Sequence, residues 1–418
     1  TGSEEQQRSG GEHRRCMWKC NNGIGLLKGV VYDYNIAGGD EDGGGGAVFN
    51  TSNFRADRSE FLNNQTINLT DDSFGGAIDF RSGAGPVVTI ADSRLEGNSS
   101  ISEAADGTAH GGAIYVRSDS VTAAAVNVFR TPIINNTAQG NIAEGGAIYL
   151  FEGNLNITNS NVLDNTADGV EEASGGAVRI AVGPITANTV IFVPTFQNVT
   201  ISRNTARGHL ARGGAVFKTF SIAHFQNATI SENIVEAIEG SGTPRAEGAA
   251  LVHFDGGSEL IEASTIVFNQ ATGPVGSEFA GAGIFHDSPS MTDGGGETQL
   301  NNSIIAGNFY GRTEGVTILG GVDGTSFGYS NCGQRVSTVP DIQLFSVNIT
   351  DNGIDPSSPG GDFCSSIFSP DFIATEMLGP LQDNGGSTLT HALIDTMDPL
   401  PANPAIDGIP DCACRFAI

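Results

Sequence analysis

Residues 111–150 read GGAIYVRSDSVTAAAVNVFRTPIINNTAQGNIAEGGAIYL and contain two elements that return along the chain. The first is Gly-Gly-Ala followed by an aliphatic residue, here at Gly111 and again at Gly145. The second is an aliphatic residue, two further residues and an asparagine, here ending at Asn136. Self-similarity at a period of roughly 30–40 residues is typical of solenoids, propellers and other repeat architectures.

Both elements occur eight times. The glycine element, which degenerates to GAAL and GAGI in its last two copies, begins at Gly45, Gly75, Gly111, Gly145, Gly175, Gly213, Gly248 and Gly281. The asparagine element, whose first copy has Phe61 at the aliphatic position, ends at Asn64, Asn98, Asn136, Asn165, Asn204, Asn233, Asn269 and Asn308. The segments between them are short, β-branched and alternating, which excludes a helical solenoid. The varying intervals disfavour a propeller, whereas a parallel β-helix lets loops of any length leave between stacked strands.

We therefore predict an all-β chain, a single right-handed parallel β-helix of about eight or more three-strand coils with disulfide-pinned ends. The leading glycines indicate backbone angles or close approaches that a Cβ atom would obstruct. The asparagines predict a ladder of stacked side-chain amides in a buried turn. The fourth position of the glycine element is always aliphatic and predicts an interior column made of Val48, Ile78, Ile114, Ile148, Val178, Val216, Leu251 and Ile284.

The repeats divide the chain into an N-terminal cap segment (1–42), the β-helix repeats (43–325) and C-terminal coils with a cap (326–418). The 20 Lys and Arg residues against 47 Asp and Glu give a formal charge of −27. The negative electrostatic field of a chain with this charge excludes nucleic acids and anionic membranes as partners. Because there is no run of eighteen apolar residues, no membrane span is expected. The acidity suits solubility in extracellular water, and cation binding is the alternative.

The cysteines lie only outside the repeats and are even in number, which predicts disulfides that hold the caps in an extracellular protein. Cys332 with Cys364 is the pair that we expect first. Zinc is the alternative, although the Cys-x-x-x-Cys and Cys-x-Cys motifs lie too far apart in sequence to form one finger. The six cysteines are Cys16, Cys20, Cys332, Cys364, Cys412 and Cys414.

Sequons for N-glycosylation recur along the chain. In the segments NVTIS and NATIS, the apolar residues must point inward, which leaves Asn198 and Asn227 pointing outward. Asn64 and Asn98 fall in the ladder column, so we expect them to be poor acceptors. The sites expected to carry glycans in a host with the machinery are Asn156, Asn198, Asn227, Asn301 and Asn348.

The paired repeats, which often continue as Asn-Thr-Ala as at Asn136, resemble those of chlamydial polymorphic outer-membrane proteins, which are secreted β-helical adhesin passengers. The tail LGPLQDNGGSTLTHAL from Leu378, followed by NPAIDG from Asn403, is similar to the ending of bacterial secreted β-helix proteins that carry interchangeable surface anchors. The chain lacks an autotransporter barrel, and it ends in DCACRFAI where the second group has a Thr-Asp-x-Arg-Gly stretch. The resemblance implies an extracellular surface protein in adhesion or scaffolding.

The late coils contain a candidate catalytic site. The sixth position of the glycine element changes in the late coils to Lys218, His253 and His286, and Asp255 and Asp287 follow the histidines. A polysaccharide lyase needs such a base together with cations. We prefer the alternative that the strand ends earlier in these coils, so that the column turns to the surface.

The acidic loop that contains Asp40 and Asp42 could hold calcium, but a solvated glycine-rich loop fits its sequence better, and no cofactor is expected. The fifth position of the glycine element contains a column of aromatic residues. They could stack on sugar rings or bury against a partner, and the alternative is that a long loop covers them. These residues are Phe49, Tyr115, Tyr149, Phe217 and Phe285.

The preferred hypothesis is an extracellular structural or adhesive glycoprotein, a building block of a surface layer, appendage or filament. It would associate with itself or with a surface protein through its ends or its aromatic column. A carbohydrate-binding module is the second hypothesis, and a polysaccharide lyase or hydrolase is the third. An open groove lined by Lys218, His253 and His286 would favour the enzyme, which we do not expect.

Overall fold

The computed structural model describes residues 18–20, 25–39, 44–82, 87–118, 124–182, 193–254, 259–287, 298–301, 303–314, 317–319, 328–329, 332–334, 342–345, 349–350 and 378–394. Within these ranges the chain forms strands and no helix. Three long sheets, here called A, B and C, stack along the chain, and one separate two-stranded hairpin follows them. Strands are numbered in chain order.

Each passage through the three sheets makes one coil. Sheet A contains the eight strands that follow the glycine element, together with β1 and β41 at its two ends: β1 (Trp18–Cys20), β5 (Val48–Asn50), β10 (Ile78–Ser82), β15 (Ile114–Ser118), β19 (Ile148–Phe151), β22 (Val178–Ala181), β26 (Val216–Thr219), β30 (Leu251–Phe254), β35 (Ile284–Asp287) and β41 (Cys332–Gln334). All its pairings are parallel.

Sheet B leads to the ladder asparagine, and it has two short segments in most coils. Its strands are β2 (Gly25–Lys28), β3 (Val31–Asp33), β6 (Phe54–Asp57), β7 (Glu60–Leu62), β11 (Val87–Ala91), β12 (Arg94–Glu96), β16 (Ala124–Phe129), β17 (Ile133–Ile134), β20 (Gly153–Leu163), β23 (Thr195–Ser202), β27 (Ala223–Ser231), β31 (Glu259–Glu262), β32 (Thr265–Val267), β36 (Thr298–Asn301), β37 (Ile304–Ala306), β42 (Ile342–Phe345) and β43 (Ile349–Thr350).

Sheet C runs from the ladder asparagine back to the next glycine element. Its strands are β4 (Ile36–Gly39), β8 (Gln65–Asn68), β9 (Ser73–Phe74), β13 (Ser99–Ser102), β14 (Thr108–His110), β18 (Thr137–Glu144), β21 (Thr166–Ser174), β24 (Thr205–Gly208), β25 (Leu210–Arg212), β28 (Ile234–Ala237), β29 (Arg245–Glu247), β33 (Gln270–Gly273), β34 (Glu278–Ala280), β38 (Phe309–Glu314), β39 (Thr317–Leu319) and β40 (Gly328–Tyr329). The last two pair with β38 in antiparallel orientation.

The predicted parallel β-helix is confirmed. The aliphatic column stacks in register, because Ile114 pairs with Ile148, Ile148 with Val178, and Val178 with Val216. All eight predicted members of this column are buried in one apolar core. The core is therefore a continuous column along the axis, to which each coil adds the same few side chains.

The two glycines of the repeat have different roles. Gly111 has a φ of 60°, a left-handed angle that turns the chain from sheet C into sheet A. Gly112 has an ordinary φ, but a Cβ atom there would overlap the carbonyl oxygen of Gly146 on the next coil and the backbone of Thr137. The prediction that a Cβ would obstruct this element is confirmed, because one glycine is required by backbone angle and the other by close stacking.

The asparagine ladder is also confirmed. All eight predicted asparagines are fully buried. From Asn64 to Asn269, each side-chain Nδ2 donates to the Oδ1 of the next asparagine at 2.8–2.9 Å. The same Oδ1 accepts the backbone N–H of the preceding asparagine, as Asn165 does from Asn136 at 2.9 Å. The ladder thus satisfies buried backbone donors that the turn would otherwise leave without partners.

The coils begin earlier than the sequence predicts. Residues 25–39, assigned above to the N-terminal cap, form a coil in which β2, β3 and β4 pair with β6, β7 and β8. Asn35 is the first rung of the ladder and donates to Asn64. At the other end, β41, β42 and β43 continue sheets A and B into the predicted C-terminal region.

The LGPLQDNGG tail forms an antiparallel hairpin, β44 (Leu378–Gln382) and β45 (Thr390–Leu393). The hairpin docks on the outer face of sheet B. Leu378 is buried against Val267 and Ala306, and the ring of His391 meets that of Phe268 edge-on at 5.5 Å. Because an isolated two-stranded hairpin is marginally stable in water, this docking stabilises the tail.

Candidate functional site

The Lys218 column lies inside the β-helix. Register pairs Lys218 with His253 and His253 with His286 on successive strands of sheet A. Lys218 and His253 are 1% and 0% exposed. The interpretation that this column turns to the surface is therefore wrong at Lys218 and His253, because β26 and β30 continue the inward alternation of the earlier coils. The same column is buried in those coils, at Asn50, Phe80, Val116, Leu150 and Ile180.

Lys218 belongs to a buried polar network. Its Nζ atom donates to the carbonyl oxygen of Ser221 at 3.0 Å and lies 3.5 Å from Oε1 of Glu259. Glu259 is 2% exposed, and its other oxygen accepts from the hydroxyl of Thr298 at 3.0 Å. Burial lowers the pKa of Lys218 to about 8, and the charge of Glu259 opposes this shift.

This network does not form an open groove at Lys218 and His253. A polymeric substrate has no path to side chains that are closed off inside the coils, so the geometry of these two residues does not favour a polysaccharide lyase. Asp255 lies outside the described residues. For His286 and Asp287 the structure places only the backbone, in β35.

Glu259 is the member of the network that sequence reasoning missed. The signal was present, since Glu259 stands two residues before the inward Ile261 and strand alternation places both on the same face. A carboxylate at an inward position opposite a lysine predicts a buried ion pair. Such a pair is costly to break, because loss of one partner leaves the other charge buried alone.

The aromatic column is covered on most of its length. Tyr115, Tyr149, Phe217 and Phe285 are all buried, and Phe49 is half-buried. Four of the five predicted binding residues therefore offer no open ring face for a sugar in this conformation. These four residues therefore fit the alternative that the aromatic column is covered.

The cover is the column of residues that immediately precede the glycine element. The rings of Phe74 and Tyr115 lie 4.8 Å apart, and those of His110 and Tyr149 lie 4.5 Å apart. The guanidinium of Arg212 lies 4.8 Å from the ring of Phe217. Because the left-handed glycine turns the chain tightly, the residues on its two sides meet outside the turn. The end of the preceding strand of sheet C, and not a long loop, packs against these rings.

A second cluster that the sequence did not reveal lies in this cover. Glu144 contacts Nδ1 of His110 at 3.1 Å and Nε of Arg179 at 3.4 Å. Burial alone would raise the pKa of Glu144, but the hydrogen bond from His110 and the charge of Arg179 lower it to about 2. Burial raises the pKa of Tyr115 to about 12 and raises that of Tyr149 as well. The carboxylate is charged and both phenols are neutral near pH 7, so the cluster has the protonation states of a structural ion-pair network.

The sequons divide by exposure. Asn227 is exposed and Asn198 is half-buried, while the residues predicted to point inward, such as Val199 and Ile230, are buried. Asn156 is half-buried and donates to Asn127 at 2.9 Å. The glycan predictions stay open at all these sites. For Asn301 the structure places only the backbone in β36, and Asn348 lies outside the described residues.

The predicted disulfide and calcium sites cannot be placed. Cys20 and Cys332 are positioned only by the backbone of β1 and β41. The other four cysteines, Cys16, Cys364, Cys412 and Cys414, lie outside the described residues, as do Asp40 and Asp42. The pairing of Cys332 with Cys364 stays a prediction. Within the described part of the chain, no group of three or more His, Cys, Asp or Glu side chains is placed to hold a metal ion.

No family model, curated protein or solved structure matches the chain. Among the described residues there is also no helix of the length and apolarity needed to cross a membrane.

Proposed function

We propose that the chain is an extracellular structural or adhesive β-helix glycoprotein, a building block of a surface layer, appendage or filament that associates through its ends. The observation that supports this proposal most directly is the edge of the first coil, whose outer face is apolar. Within the described residues, β2, β3 and β4 are the terminal strands of their ladders. Parallel strands at the end of a stack present a template for another strand.

The side chains of this coil differ from those of the coil beneath it. Leu26 pairs with Arg55, and Val31 pairs with Glu60, so apolar residues stand at the outward positions that are charged one coil later. Leu26 and Val31 are each 59% exposed, and Tyr34 is 73% exposed. Large exposed apolar residues that lie together mark an interaction site.

A second copy of the chain is the occupant that we propose for this edge. Residues 1–15 include no Ala, Val, Ile, Leu, Met, Phe, Trp, Tyr or Cys, so these fifteen residues offer no apolar side chain to the edge. Another β-helix end has both the backbone groups and the spacing to extend the ladder. Head-to-tail contacts of this kind do not close, and they produce filaments.

Sedimentation velocity and electron microscopy test the proposal. We expect the wild-type chain to form end-to-end assemblies that grow with protein concentration. They should also grow with salt, because salt screens the repulsion between copies that each carry a charge of −27. The double variant Leu26→Lys, Val31→Lys should stay dispersed.

The matched control is Val170→Lys, since Val170 is 61% exposed on β21 in the middle of the stack. It should assemble like the wild type. A wild-type chain that stays monomeric at high protein and salt concentration, or a Val170→Lys variant that disperses as fully as the edge variant, contradicts end-to-end assembly.

A further inference from the structure

The docked hairpin lies against the corner of sheet B that carries two sequons. At this corner Asn159, Asn198 and Asn227 stand on three successive coils, all with a left-handed φ near 50°. Their side chains form a second, outer ladder, in which Asn227 Nδ2 donates to Asn198 Oδ1 at 2.8 Å and Asn198 Nδ2 donates to Asn159 Oδ1 at 3.0 Å. Left-handed angles at non-glycine residues persist where the surrounding contacts hold them in place.

The hairpin uses the same atoms as this outer ladder. The hydroxyl of Ser387 donates to Asn159 Oδ1 at 3.3 Å, the oxygen that also accepts from Asn198 Nδ2. Nδ2 is the atom to which an N-linked sugar is attached. The Ser387 hydroxyl and the Asn198 nitrogen therefore share one acceptor, so a sugar attached to this nitrogen would emerge beside the hairpin.

The sequon hydroxyl is also engaged. Thr200, the third residue of the Asn198 sequon, is fully buried and donates its hydroxyl to the carbonyl oxygen of Leu389. The N–H of Leu389 in turn donates to Asn161 Oδ1 at 3.4 Å. The hairpin loop thus lies beside the Asn198-Val-Thr segment, with Leu389 at Thr200 and Ser387 on the acceptor of Asn198.

The neighbouring sequon is arranged differently. Asn227 is exposed, and within the described residues no hydrogen bond joins it to the hairpin. Its Nδ2 donates toward Asn198, one coil away from the oxygen that Ser387 uses. A sugar on exposed Asn227 would therefore start one coil farther than a sugar on half-buried Asn198 from the hairpin contacts at Asn159 and Thr200.

We propose that Asn198 is a modification site whose occupancy excludes the C-terminal hairpin from the side of the β-helix, whereas Asn227 accepts a glycan with the hairpin docked. Modification of the two sequons then has different consequences for the hairpin. A chain modified at Asn227 alone keeps its tail on sheet B. A chain modified at Asn198 releases residues 378–394 and uncovers the outer face near Thr200 and Val267. This inference rests on the proposed glycoprotein character of the chain.

Two bulky substitutions test the steric part without any glycan. Asn198→Trp and Asn227→Trp place the same large side chain at the same left-handed angle, with φ of 51° and 50°, so their backbone strain is matched. Amide hydrogen exchange of residues 378–394 is measured in the full chain. We expect exchange at least about tenfold faster in Asn198→Trp and unchanged exchange in Asn227→Trp. Equal exchange in the two variants overturns the proposal.

Expression in a host that performs N-glycosylation tests the modification itself. Mass spectrometry assigns occupancy, and exchange of the hairpin is compared between the wild type, Asn198→Gln and Asn227→Gln. Hairpin exchange should be fast in wild-type and Asn227→Gln molecules with a glycan on Asn198, and slow in Asn198→Gln. A docked hairpin in molecules glycosylated at Asn198 overturns the proposal. If every sequon stays unmodified, the glycoprotein part of the proposed function is refuted, and the tryptophan pair still decides the exclusion.

Discussion

Removal of one rung from the middle of the asparagine ladder should destabilise the fold more than removal of the first rung. We consider Asn165→Ala. The Oδ1 atom of Asn165 accepts both the backbone N–H and the Nδ2 of Asn136 at 2.9 Å. Its Nδ2 donates to Asn204 Oδ1 at 2.9 Å and to the carbonyl oxygen of Ile133 at 3.0 Å. Four hydrogen bonds are lost at a fully buried position.

The magnitude follows from what each partner keeps. Asn136 Nδ2 retains the carbonyl oxygen of Leu95 at 3.2 Å, but the backbone N–H of Asn136 loses its acceptor. A buried donor left without a partner costs about 1–3 kcal/mol, and each further lost bond about 1 kcal/mol. We therefore expect Asn165→Ala to lower the free energy of unfolding by about 4–6 kcal/mol.

The matched control is Asn35→Ala at the first rung. Among the described residues, Asn35 donates to Asn64 but no preceding asparagine depends on its Oδ1, so the loss should be about 1 kcal/mol. Urea unfolding followed by circular dichroism gives the midpoint and slope for both variants. If Asn165→Ala costs no more than Asn35→Ala, the ladder is a consequence of stacking and not a source of stability.

Three further outcomes are expected. Ile148→Asp, which puts an unpaired charge in the apolar core, should cost several kcal/mol in urea unfolding, and Ile148→Val should cost about 1 kcal/mol. Lys218 has a folded-state pKa of about 8 against an ordinary 10.5, so the unfolded chain binds more protons between these values. The free energy of unfolding of the wild type should therefore rise from pH 8 to 10.5 relative to that of Lys218→Met. A difference between the two proteins that stays constant over this range would contradict the lowered pKa of Lys218. Mass spectrometry of glycosylated chains should find no glycan on Asn64, which is buried.

The repeat itself was predictable because each of its residues answers a local requirement. Gly111 turns the chain, Gly112 allows close stacking, Ile114 fills the core and Asn136 satisfies the turn. A residue that is required in every coil appears in every coil, so a repeat search finds it. The fold, the register and the ladder followed from this pattern.

The first coil escaped prediction because it breaks the pattern. Trp18 pairs with Val48, so the residues aligned with the glycine element are Arg15, Cys16 and Met17. Three residues before Asn35 stands Tyr32, which is aromatic like Phe61 at the same position before Asn64. Its ring stacks on that of Phe61 at 5.5 Å and occupies the same position in the coil. Packing equivalence of this kind is visible only once the register is known.

The left-handed corners were also beyond the sequence. Arg203, Glu232 and Phe268 each precede a ladder asparagine and have φ of 54°, 58° and 59°. Residues of this size rarely adopt such angles, so composition predicts no turn there. The side chain of the ladder asparagine that follows each of them bonds to the backbone of the preceding coil, and its own backbone N–H donates to the ladder asparagine of the next coil, as at Asn233. Tertiary stacking overrides the local preference, and a single-residue propensity does not record it.

The hairpin face shows how such a departure from the repeat can be read. The outward residue just before the central core position of sheet B is Glu60 and then Arg94 in early coils, both exposed. In later coils it is Thr200 and Thr229, both buried. The fold needs no such change, because the stacked core beneath is the same in all four coils. A drift from charge to short hydroxyl side chains therefore indicates a surface that something covers, and the contact of Thr200 with Leu389 identifies the hairpin as that cover.

The same reasoning applies to the first coil, whose apolar outward residues replace charges without any requirement of the stack. In a repeat protein, the positions that vary against the pattern are where association is encoded.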